Sequence, residues 1–148
     1  MLKLNVDVAL KDRLATLAVI VRRESGHVMN GWTKRYDTTD PSTAEVVAIL
    51  WAMEVAKDNN YLKILVEGDA KICIEAITEE STTIPWRILS LVNIIKVLAL
   101  EFLTCSFCWV GEMLMAWLIS LPSLHLLYPL AFFCNSSNLP FSMHEAWI

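Results

Sequence analysis

Val66-Glu67-Gly68-Asp69-Ala70-Lys71 joins a short apolar run, residues 62–66, to a helix-forming one, residues 70–77. That junction decides the fold. An apolar run of this length that stops at a glycine reads as a strand, and the acid immediately after it falls at the strand's end. Upstream, Asp40-Pro41-Ser42-Thr43-Ala44-Glu45 opens a stretch of strong helix formers that continues to about Lys57 and breaks at Asn59-Asn60. Ser42 and Glu45 have the spacing of a capping box. A helix on each side of one short strand implies that this strand enters its sheet by a helical crossover.

Further outward the pattern stays consistent. Residues 2–9 alternate, with Leu2, Leu4, Val6 and Val8 on one face and Lys3, Asn5, Asp7 and Ala9 on the other. Two more runs, residues 15–21 and 27–36, flank Arg22-Arg23-Glu24-Ser25-Gly26, the chemistry of a turn. Downstream, Ile88, Leu91, Val92, Ile95, Leu98 and Ala99 form a helical stripe within residues 84–102, with Pro85 in its first turn. Residues 104–110 alternate as a fifth strand. The order βββαβααβ predicts an α/β domain built on a mixed five-stranded sheet with helices packed on it.

A chain of 148 residues that is 55% hydrophobic fits one domain with a real core. Its formal charge of −4 argues against a generally basic nucleic-acid-coating protein, while leaving room for a local basic surface. No Lys or Arg follows Lys96, and only Glu101, Glu112 and Glu145 carry acid beyond it. This change of composition predicts a boundary near Val110, with a domain over residues 1–110 and a divergent apolar segment over residues 111–148. The first residues, with Lys3 and Asp7, lack the apolar core of a secretory signal, so the expectation is an intracellular protein. Cys73, Cys105, Cys108 and Cys134 do not make a disulfide framework, and Cys105 and Cys108 form a lone CxxC without a second pair for zinc.

Three acids have the placement that chemistry requires. Asp7 lies on the first strand, Glu45 near the start of the first helix, and Asp69 just past the fourth strand. Glu45, Ala48, Ala52 and Ala56 share one helix face, and small alanines let that face approach the sheet and aim Glu45 at it. Gathered carboxylates repel unless cations hold them, and Mg²⁺ favours a few carboxylate oxygens with water and phosphate. Each acid also has a plainer reading: Asp7 as a solvated strand residue, Glu45 as the back-bonding member of the capping box, and Asp69 as a helix N-cap.

Leu4-Asn5-Val6-Asp7, Ala44-Glu45-Val46-Val47-Ala48-Ile49-Leu50-Trp51-Ala52 and Val66-Glu67-Gly68-Asp69-Ala70-Lys71 resemble the plant ribonuclease H-like domains of the non-LTR retroelement type. Pro85-Trp86-Arg87-Ile88 and Ser106-Phe107-Cys108-Trp109-Val110 continue the resemblance, which covers about residues 2–110 in order. It implies a ribonuclease H fold and cleavage of the RNA strand of an RNA/DNA hybrid. It also implies that Asp7, Glu45 and Asp69 hold a two-ion Mg²⁺ site, with Mn²⁺ as a substitute and no small-molecule cofactor. Hybrid recognition would then rest on backbone geometry and 2′-hydroxyls. Arg22, Arg23, Lys34 and Arg35 are candidates for phosphate contact or for a solvated surface.

Two departures stand out. Val8 occupies a position where the family carries Gly or Ala, and as a β-former it is expected to face the core. After Val110 the family continues with a helix containing Asn-x-x-Ala-His (or Asp), which bears its fourth site residue. Here Gly111-Glu112-Met113-Leu114-Met115-Ala116-Trp117 offers no such ligand, and the last family helix gives way to an apolar tail. Cys134-Asn135-Ser136-Ser137-Asn138-Leu139-Pro140 again resembles the end of such domains, which implies a reading-frame shift across residues 111–133. The alternatives to a nuclease are an inactive nucleic-acid-binding remnant and a small membrane-anchored protein. Residues 113–134 carry no formal charge over a membrane-spanning length, although Pro122 and Pro129 interrupt them.

Overall fold

A computed structural model describes residues 1–79, 83–111 and 132–135. Strands β1 (Leu2–Lys11), β2 (Leu14–Arg23) and β3 (Val28–Asp37) come first, followed by helix α1 (Pro41–Asp58) and strand β4 (Lys63–Gly68). Helices α2 (Lys71–Thr78) and α3 (Trp86–Ala99) precede β5 (Thr104–Trp109), and a short β6 (Phe132–Asn135) completes the set. All five strands read from the sequence lie in one mixed sheet, and β6 extends it at one edge. The strand order is β5-β4-β1-β2-β3-β6.

β1, β2 and β3 form an antiparallel meander, while β4 pairs in parallel with β1 and β5 in parallel with β4. The first hairpin turns on Asp12 and Arg13, whose φ values of 50° and 68° are both positive, the conformation a two-residue turn needs to match strand twist. The second turns at Gly26, with φ of 90°. There the Gly26 amide donates to the Arg23 carbonyl at 2.8 Å.

The helices share one face of the sheet. Leu4 and Val6 of β1, Val19 and Val21 of β2, and Ile64 and Val66 of β4 are buried in one cluster with residues from all three helices. Those helical residues include Ala44, Ala48, Ala52 and Ala56 of α1, Ile74 and Ile77 of α2, and Ile88, Val92 and Ile95 of α3. Val8 packs against this core, as expected of a β-former in that register. The alanines let α1 lie close to the sheet, which brings Glu45 within reach of the strand ends.

One local expectation fails. Ser42 and Glu45 do not form a capping box. Asp40 is the N-cap, its carboxylate accepting from the Thr43 amide at 2.9 Å and from the Thr43 hydroxyl at 2.6 Å. Pro41 takes the first helical position, where its missing N–H costs nothing, and this moves the cap two residues upstream of Ser42. Among the described residues no helix is long and apolar enough to cross a membrane. The apolar stretch 113–134 falls outside the described residues except for its last three, which belong to β6. The expected frame shift lies in the same region.

Candidate metal centre

The β1–β4 ladder ends at the pair Asn5↔Glu67. Asp7 and Asp69 stand two residues beyond that last rung, where the strands are no longer paired and a gap can open between them. Gly68 keeps the two chains close just before this point, since a Cβ there would lie 3.3 Å from Val6 Cγ2 and 3.7 Å from Ile74 Cδ1. Glu45 arrives from the early turns of α1. One carboxylate oxygen from each of Asp7, Glu45 and Asp69 lies within 4.8 Å of the others. The three acids singled out in the sequence are therefore brought together, and they are the only cluster of metal-binding type among the described residues.

The plainer readings of the three acids do not hold. Asp7 is 5% exposed, so it is not a solvated strand residue. Glu45 is not the partner in a cap, and its Oε2 is buried with no hydrogen-bond partner. The N-cap of α2 is Ala70, not Asp69. Burial pushes Asp7 up to about 7, with the Asp69 charge adding to it and the Val8 amide, which donates to Oδ1 at 2.9 Å, opposing it. Burial likewise raises Glu45 to about 8, reinforced by Asp69 and then by Asp7. An orphaned buried carboxylate oxygen among like charges is a poor arrangement for an empty fold and a good one for a divalent cation.

Sequence reading missed the polar network behind this cluster. Asn5 Nδ2 donates to Glu67 Oε2 at 2.6 Å, and Arg22 donates through Nε to Asn5 Oδ1 and through a terminal nitrogen to Glu67 Oε2, both at 2.7 Å. Lys3 Nζ lies 3.4 Å from the other Glu67 oxygen. Arg22 is thus neither a solvated residue nor a spare phosphate contact. Burial alone would raise the Glu67 carboxyl, but the Arg22 and Asn5 hydrogen bonds with the Arg22 and Lys3 charges outweigh it and hold it low. The available signal was the alternation that puts Asn5 and Asp7 on one face of β1, together with the position of Glu67 two residues before Asp69.

Lys34 sits over the Trp51 ring at 4.8 Å, so this member of the basic set is also engaged. Cys73, Cys105 and Cys108 are free thiols, and the CxxC pair belongs to no metal-binding group among the described residues. The family's fourth site position falls outside the described residues.

A family model described as reverse transcriptase-like matches residues 5–112, which hold all three acids and all the helices among the described residues. The chain belongs to this family. No curated protein matches the sequence significantly. Among solved structures, the reverse transcriptase-like domain is similar to ribonuclease H1 from the halophilic archaeon Halobacterium salinarum, with a TM-score of 0.71 and 17% identity over 76% of this chain and 87% of that one. It is similar to LC11 ribonuclease H1 solved in complex with an RNA/DNA hybrid, with a TM-score of 0.67 and 13% identity over 76% and 87% of the two chains. It also matches the prototype foamy virus protease-reverse transcriptase, with a TM-score of 0.63 and 14% identity over 86% of this chain and 20% of that one. The fold is that of ribonuclease H, and its acidic cluster is compatible with use of a divalent metal.

Proposed function

We propose that this domain binds RNA/DNA hybrids and hydrolyses phosphodiester bonds of the RNA strand at a divalent-metal site, Mg²⁺ or Mn²⁺, held by Asp7, Glu45 and Asp69. The observation that carries the reading is the convergence of these three carboxylates within 4.8 Å, with Glu45 Oε2 buried and unpartnered. Bound cations would activate water and stabilise the leaving oxygen. The chain's own part is to hold the three carboxylates at fixed spacing. The pairing of β1 with β4 stops at Asn5 and Glu67, α1 lowers Glu45 onto the sheet, and the Val8 amide fixes one oxygen of Asp7. The fold shared with a ribonuclease H1 solved on an RNA/DNA hybrid supports the substrate class. The retroelement and plant affinities implied by the motifs, and a domain boundary near Val110, belong to the same proposal.

The test is cleavage of a labelled RNA/DNA hybrid by the purified chain in Mg²⁺, with Asp69→Asn as control. The expected result is metal-dependent cleavage of the RNA strand that the substitution reduces by at least about a thousandfold, in line with loss of a group acting directly on the transition state. Hybrid binding without cleavage by the folded parent chain overturns the nuclease reading and leaves a nucleic-acid-binding domain.

A further inference from the structure

A second feature lies at the same end of the sheet as the acidic cluster. It consists of Trp109, the last residue of β5, and Lys71, the first of α2. Trp109 pairs across the ladder with Gly68, the residue before Asp69. Its indole Nε1 donates to the Asp69 carbonyl at 3.1 Å, and the next amide, of Val110, donates to the Gly68 carbonyl at 2.9 Å. The ring is therefore anchored beside the cluster by its polar edge, yet Trp109 remains 48% exposed. Lys71 Nζ stands 5.4 Å from the ring centroid. Among the described residues Lys71 Nζ also lies 3.7 Å from Glu75, an exposed pair.

Core packing does not account for this arrangement. An indole gains by burying its large apolar surface, and this one is tied down by its N–H while its ring stays half in water. An anchored aromatic face with an exposed cation beside it is the combination that binds nucleic-acid strands, because every base offers a π-face and every linkage a phosphate. The neighbouring carboxylates repel a phosphate backbone, so a cation at their border has a defined task. Exposed i,i+4 pairs are weak, and exchanging Glu75 for a phosphate costs Lys71 little. Among the described residues, a Cβ at Gly111, two residues past Trp109, would meet nothing within 4 Å.

We propose that Trp109 and Lys71 form a nucleotide subsite bordering the acidic cluster, in which the indole stacks on a base or ribose of the bound strand and Lys71 pairs with the adjoining phosphate. This subsite rests on the nucleic-acid reading above and adds to it the residues that hold the strand. Trp109 has a second task as a positioning residue, since its N–H fixes the peptide of Asp69.

The experiment measures binding of a short fluorescein-labelled RNA/DNA hybrid to the full chain in EDTA, so that no cleavage competes, over a range of salt. Trp109→Ala is expected to weaken binding between about fivefold and a hundredfold, the range that base–aromatic stacking supplies. Trp109→Phe keeps a stacking face and loses the N–H, so it binds within about threefold of the parent. In Mg²⁺ it cleaves more slowly. Lys71→Ala lowers the slope of log K against log salt by about 0.7 to 0.9, one phosphate contact, and Lys71→Arg restores it. A purely structural role for these residues would leave that slope untouched. Circular dichroism confirms that each variant is folded, and Lys71→Ala decides the matter if Trp109→Ala is not.

Hybrid binding by the parent, with the affinity of folded Trp109→Ala and the salt slope of Lys71→Ala both unchanged, overturns the subsite and leaves the nuclease proposal standing. Binding that depends on both residues without cleavage supports the subsite and overturns the nuclease proposal. Failure of the folded parent to bind hybrid overturns both.

Discussion

Replacing Asp7 by Asn is expected to make the metal-free protein more stable at neutral and alkaline pH while removing its response to Mg²⁺. Asp7 is raised from 3.8 to about 7, first by burial and then by the charge of Asp69, against the pull of the Val8 amide. The folded state thus prefers the protonated acid. Below the unfolded value near 3.8 both states are protonated and the full stability is present. As pH rises the unfolded chain ionises first, and stability falls until the folded carboxyl has also ionised, at about 7. A thousandfold difference in proton affinity, at about 1.4 kcal/mol per tenfold, amounts to roughly 4 kcal/mol. Asn is itself a polar group that must be buried at this position, which offsets part of the gain, so the net stabilisation is about 1 to 4 kcal/mol. Asn keeps an oxygen for the Val8 amide and carries no charge.

For a domain of this size the gain corresponds to a Tm higher by about 3 °C or more in EDTA at about pH 8. At about pH 5 the gain shrinks, because there the folded Asp7 is already protonated. Mg²⁺ raises the Tm of the parent by mass action and leaves the Asn variant nearly unmoved. Thermal melts followed by circular dichroism at the two pH values, with and without Mg²⁺, provide the assay. An Asn variant that melts at or below the parent in EDTA at the higher pH refutes the argument. So does a gain that is no smaller at the lower pH.

Three further outcomes follow from the packing. Arg22→Ala leaves the Glu67 carboxylate buried without its main partner and costs about 3 to 5 kcal/mol in urea unfolding, whereas Arg22→Met with Glu67→Met recovers most of it; equal losses in the two variants would refute the pairing. Asp40→Ala removes the cap of α1 and costs about 1 kcal/mol, read from the same urea transition. Ala52→Leu forces a larger side chain between α1 and the sheet, where Ala52 is fully buried. It is expected to destabilise by about 1 to 3 kcal/mol and to lower Mg²⁺ affinity through displacement of Glu45, which a metal titration by calorimetry checks.

The fold was legible because its signals are local. Alternation in β1, the Gly26 turn, the helix formers after Pro41 and the stop at Gly68 each follow from a few neighbouring residues. Asp7, Glu45 and Asp69 were legible because each stands at a recognisable element boundary or in a motif. The capping box was misread because Ser42 and Glu45 satisfy a spacing rule that Asp40 and Pro41 satisfy better, and only the φ/ψ of Asp40 decides between them. The Asn5–Arg22–Glu67 network and the Trp109–Asp69 bond were invisible for a different reason. Their members are separated by 17 to 62 residues, so no local pattern links them.

By itself, then, the sequence determined which segments become strands and helices, and that the three acids fall on the first strand, early in the first helix and just after the fourth strand, since period, turn chemistry and propensity act over short spans of chain. Only the tertiary structure decided that the β1–β4 ladder stops at Asn5 and Glu67, that α1 lies close enough to lower Glu45 beside Asp7, and that the three carboxylates meet within 4.8 Å. Those distances depend on how a helix lined with alanines settles on a twisted sheet, a property of the packed assembly that no single segment contains.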